Sequence, residues 1–196
     1  RGKRIAQMKQ SDIESILAPA MGISAIDAFI SRMQDEETEV MLLYKISVER
    51  KDKVGFHAAW ILEKLCGKEP AYALFFIEDL INDFNKFSNK STIRQYAKLL
   101  AKLLKLKNKN RLFEDLNKVL DNSDSNHVIE VCFEQIIDSE TQFSVKQMCC
   151  EVLLHYKEKE EWIKEELDEF YQNLSLINTP SAKSYRKKLH KNLSNV

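Results

Sequence analysis

Glycine and proline are scarce, with four and three among 196 residues, about 4% together against a usual share of roughly 12%. An all-β sandwich or a Rossmann-like α/β domain needs many tight turns and glycine-rich loops, and this chain lacks the residues to make them. Helical connections need few. Long apolar runs are missing too: no stretch of 18 apolar residues exists, so no helix spans a membrane. Net charge is absent, since 30 Lys and Arg face 30 Asp and Glu. That balance removes a global electrostatic pull toward DNA or an anionic membrane and leaves only local patches. Apolar residues still make up 44% and charged residues 31%, which excludes a disordered chain.

Catalytic and metal signatures are also missing. There is no G-x-S-x-G, P-loop or G-x-G-x-x-G, and none of His57, His127, His155 and His190 has metal-ligand spacing. Glu151 and His155 stand four apart on one helical face beside Cys150, yet structural zinc wants four ligands and no second cluster accompanies them. The reading is no enzyme, no cofactor and no metal. Cys66, Cys132, Cys149 and Cys150 form no C-x-x-C pair, and Cys149 and Cys150 point about 100° apart on a helix. They read as buried thiols in a reducing compartment, which points to the cytoplasm. The chain begins at Arg1, and no signal-peptide apolar segment follows.

What is present is helical periodicity. Residues 1–10 read as a flexible basic segment, and 11–196 as one helical-repeat domain. Ser11 with Glu14 fits a capping box for a helix at 11–18, and further helices are expected at 24–34 and 36–50. The pattern then tightens into 53–66, 70–86, 91–106, 110–121, 126–138, 142–157, 160–174 and 180–193. Pro70 and Pro180 suit first helical turns, and Thr179 suits an N-cap.

The helices repeat a template. From Val54, apolar or small residues follow at +4, +7, +8 and +11: Ala58, Ile61, Leu62 and Leu65. Ile93 starts the same series with Ala97, Leu100, Ala101 and Leu104, and Val145 starts it with Cys149, Val152, Leu153 and Tyr156. A degraded copy starts at Ala182, and the long gap before Val145 holds one additional helix, 126–138. Small residues at mid-helix (Ala58, Ala97, Cys149) suit helices that approach closely. The segments VGFHAAWILEKLC, TIRQYAKLLAKLL and SVKQMCCEVLLHY resemble the first helix of a HEAT or armadillo-type repeat. That resemblance covers roughly 36–194 and implies an all-α, right-handed α-solenoid of antiparallel helix pairs, with about ten or eleven helices. It implies a non-enzymatic scaffold that binds a protein or peptide. Some HEAT-like proteins are alkylpurine DNA glycosylases, which makes nucleic-acid binding the alternative. None of that family's site residues carries over to this chain, and Trp162 stands in an acidic segment while Trp60 reads as packing.

Charge is segregated along the chain. Residues 86–118 carry ten Lys or Arg against two acids, residues 158–169 seven acids against two lysines, and residues 183–191 five Lys or Arg with no acid. On a helical wheel with Arg94 at zero, Lys98, Lys102 and Lys105 fall near about 40°, 80° and 20°. Lys90, Lys107, Lys109 and Arg111 extend the field, and no acid on this helix offsets it. Lys90, Arg94, Lys98, Lys102, Lys105 and Lys109 are therefore the candidate residues for an anionic partner, an acidic protein surface ahead of nucleic acid.

Overall fold

The computed structural model describes residues 8–33, 36–107 and 114–194, and 79% of them are helical with none in a strand. The architecture is all-α, as the periodicity predicts, and a solenoid, as the resemblance implies. The first helices are α1 (Gln10–Leu17), α2 (Ile23–Ile30), α3 (Glu36–Glu49), α4 (Lys53–Lys68) and α5 (Ile77–Asn82). They are followed by α6 (Lys90–Lys107), α7 (Glu114–Asn122) and α8 (Asn126–Ile137). The last three are α9 (Phe143–Leu153), α10 (Glu161–Asn173) and α11 (Pro180–Ser194).

The three strong copies of the template are α4, α6 and α9, and they stack side by side. Ala58, Ala97 and Cys149 are fully buried in that stack, where small side chains let the helices approach. The aligned helices are the second members of their pairs, however: α3 packs on α4, and α8 packs on α9. Helix 126–137 is thus a repeat partner, and the additional element in the long gap is α7, set against α6 and the segment after α4. α11 continues the stack past α9 through the Phe143–Tyr185 ring contact. Behind it a second layer runs through α3, the 70–86 segment and α8, which touch one another in that order. α10 joins that layer where Trp162 meets Phe133 of α8.

Two local expectations change. The predicted helix 70–86 is broken into a 3₁₀ turn at Pro70–Phe75, α5, and another 3₁₀ turn at Phe84–Lys86. Tyr72, Phe75, Phe76 and Ile77 are weak helix formers, so packing decides the backbone there. Phe76 leaves the helical region (φ −146°, ψ −1°) and stacks its ring on Tyr44 of α3 at 5.4 Å. The Ser11–Glu14 capping box is also displaced. α1 starts one residue earlier, the Lys9 amide donates to Asp12 at 3.1 Å, and Arg50 of the α3–α4 turn draws Glu14 away at 2.7 Å. Thr179 does cap α11, accepting from the Ala182 amide at 3.3 Å. Of the basic segment 1–10, residues 1–7 lie outside the described residues.

Candidate functional site

α6 is placed by its own sequence. The Asn89 side chain accepts from the Ser91 and Thr92 amides at 2.9 and 3.3 Å, closing the helix N-terminus. Ile93, Ala97, Leu99, Leu100, Leu103 and Leu104 are all buried, because α4 packs on one flank and α9 on the other. That arrangement sets Lys90, Arg94, Lys98, Lys102 and Lys105 along one outer strip, with Lys102 and Lys105 exposed and Arg94 half-buried with its Nε enclosed, and Lys109 lies outside the described residues.

The strip is not a free row of cations. Lys90 donates to Asp138, just past α8, at 2.6 Å. Asp138 also accepts from the Thr141 hydroxyl and the Glu140 amide, and with Lys90 first among these partners its carboxyl falls to about 2. Lys98 and Lys102 both reach one oxygen of Glu63 on α4, each at 3.0 Å. Glu63 is 0% exposed, whereas the two lysines are partly open to solvent. A buried carboxylate is costly unless countered, and these two lysines counter it. Gly67 helps: a Cβ there would stand 2.9 Å from the Lys102 ammonium. Beyond the strip, Lys107 pairs with Asp121 of α7. Arg94 and Lys105 form no ion pair with a described residue.

Sequence reasoning missed Glu63 and Asp138. Glu63 did leave a signal, because Ala59 four residues before it and Cys66 three residues after it are both buried on the same flank of α4. An acid in such a row must find cations on the next helix. Asp138 left a weaker one: it is the C-cap of α8, where the helix dipole disfavours an acid unless a cation answers it.

The other singled-out residues have structural partners. His57 sets Nδ1 at 2.8 Å from the Leu17 carbonyl, and His127 sets Nδ1 at 2.9 Å from that of Asn82. His190 stacks on Tyr171. Glu151 binds Lys188 at 2.6 Å, and burial lowers the His155 pKa one turn further on. All four cysteines are free and buried, as expected. Burial pushes the Cys66 and Cys150 thiols up to about 12, and it raises Cys132, which lies against Cys149. Among the described residues, no group of three or more His, Cys, Asp or Glu is placed to hold a metal ion. Nor is any helix among them long and apolar enough to cross a membrane. Trp60 stacks on Phe56 at 5.7 Å and packs against the core, as its sequence context predicts.

Comparison with curated proteins and with solved structures yields no match. A family model described as HEAT repeat domain matches residues 13–193, from the first turn of α1 to the end of α11. With stacked helix pairs over that same span, the chain belongs to the HEAT repeat domain family.

Proposed function

We propose that the chain is a non-enzymatic helical-repeat scaffold that holds an acidic protein partner along the outer strip of α6. The observation that carries this reading is the charge left on the strip. Five cations on the strip meet two carboxylates, Asp138 and Glu63, which leaves an excess of three positive charges there, with Lys105 exposed and Arg94 half-buried. The ion pairs also serve the scaffold, because they fasten α6 to α4 and to the end of α8. Arg94 and Lys105 are then the residues for the partner, with Lys90, Lys98 and Lys102 shared between fold and ligand. Lys109 belongs to the same proposal by its sequence position.

The test uses a labelled poly-glutamate peptide and a labelled DNA duplex, with fluorescence anisotropy at low and moderate salt. Arg94→Glu with Lys105→Glu removes the unpaired cations and leaves Glu63 its lysines. Poly-glutamate should bind the native chain and lose about tenfold or more in affinity on the variant. Equal affinity for both proteins would refute the assignment. Tighter binding to DNA, with a steep salt slope, would replace it with the nucleic-acid reading.

A further inference from the structure

The second layer carries a surface of opposite character. Glu130 and Glu134 on α8, and Glu161, Glu165 and Glu169 on α10, are exposed and form no ion pair with a described residue. The three α10 acids are spaced four apart, as are the two on α8, so like charges adjoin at an unfavourable spacing; Lys164, exposed three residues past Glu161, forms no ion pair with a described residue. Two exposed apolar side chains stand beside these acids. Trp162 is 39% exposed with its ring edge-on to Phe133 at 5.3 Å, and Ile137, one turn past Phe133, is 60% exposed. By helical spacing, Ile137 shares a face with Glu130 and Glu134, and Glu169 falls within about 20° of Trp162.

Uncovered indole and isoleucine favour an apolar cover, but the surrounding carboxylates would lose water under a neutral one. A cationic amphipathic cover satisfies both, and a guanidinium or ammonium near the indole face adds a cation–π contact. We propose that the α8/α10 face docks a lysine- or arginine-rich amphipathic segment of a partner protein. Its apolar side chains cover Trp162 and Ile137, and its cations meet Glu130, Glu134, Glu165 and Glu169. A second copy of this chain is a poorer occupant. α11 offers the exposed cations Lys183, Lys187 and Lys191, but its apolar residues Ala182, Tyr185 and Leu189 are buried in its own fold. The α6 strip is likewise without an exposed apolar anchor.

The probe is a labelled amphipathic helical peptide of leucine and lysine, compared with poly-lysine and with the same peptide carrying glutamate for lysine. Binding is read by anisotropy, and by Trp162 emission in a Trp60→Phe background. The leucine–lysine peptide should bind about tenfold tighter than poly-lysine and shift Trp162 emission to the blue, while the glutamate peptide should not bind. Ile137→Asp should weaken it by about tenfold, and Glu165→Lys with Glu169→Lys should weaken it similarly and flatten the salt dependence. Ile137 is exposed enough for its variant to fold, which circular dichroism checks. Unchanged affinity in Ile137→Asp would overturn the proposal, as would equal binding of poly-lysine. Sedimentation that depends on concentration, and that these same variants abolish, would assign the face to a second copy instead. Arg94→Glu with Lys105→Glu should leave this binding intact, so failure here and failure of the α6 reading are separable.

Discussion

Gly55 shows how a single residue is fixed by a neighbour five positions away. It stands in the first turn of α4, whose start is capped by Asp52 accepting from the Val54 amide at 3.0 Å. The turn from α3 is so short that a Cβ on Gly55 would land on the Arg50 carbonyl oxygen and 2.9 Å from its carbon. Gly67, near the other end of the same helix, would press only on the flexible tip of Lys102. Helix propensity alone favours alanine at both sites by about 1 kcal/mol. Gly55→Ala should nevertheless destabilise the chain by roughly 1–3 kcal/mol, because backbone must move. Gly67→Ala should stay within about 0.5 kcal/mol of neutral, or stabilise. Thermal melts of the two variants decide it, and a Gly55→Ala protein as stable as the parent would mean the turn relaxes freely. None of this is legible in the sequence, where Gly55 reads only as a poor helix former. The Thr179 cap is legible, because its partner, the Ala182 amide, is three residues away.

Between elements, the α4–α6 junction combines small residues with a charged cluster. Glu63 with Lys98 and Lys102 predicts a thermodynamic cycle. Replacing both lysines with Met leaves a buried carboxylate unpaired, which should cost about 3–5 kcal/mol. Adding Glu63→Met to that protein should recover most of the loss, because apolar groups of similar size fill the same space. Denaturant melts of the parent, the two-lysine variant, Glu63→Met alone and the combined variant measure the coupling, and unchanged stability on loss of the two lysines would show that Glu63 needs neither of them. The helices that make this junction were legible because each repeats one apolar template at close to helical period. α5 was not, since the stacking of Phe76 on Tyr44 bridges residues far apart in the chain. The candidate strip was legible as a row of cations and illegible as a set of ion pairs. Its acids lie 39 residues from Lys102 and 48 from Lys90, a separation that only the stacking closes.

For the whole molecule, the solenoid makes stability a matter of position. α6 has stacked neighbours on both flanks, α4 and α9, and its buried residues include Leu100. Among the described residues α11 packs against one side of the stack, on α10, the turn between them and α9, and buries Leu189. In a stack where each unit contacts only its neighbours, stability is a sum of local terms and interface terms. Loss of an end unit removes one interface, whereas loss of a central unit removes two. Leu100→Ala and Leu189→Ala each delete the same side chain from a fully buried site, at a cost of about 2–5 kcal/mol. Their reach should differ. Hydrogen exchange read helix by helix should show Leu189→Ala accelerating α10 and α11 while α4 and α6 keep their protection. Leu100→Ala should accelerate α4, α6 and α9 together. In the parent, protection should be greatest in α6 and fall toward α11. If Leu189→Ala instead raises exchange equally in every helix, the stack melts as one cooperative unit. The apolar stacking of α4, α6 and α9, with the ion pairs of α6 to Glu63 and Asp138 beside it, would then couple the repeats more strongly than each repeat holds itself.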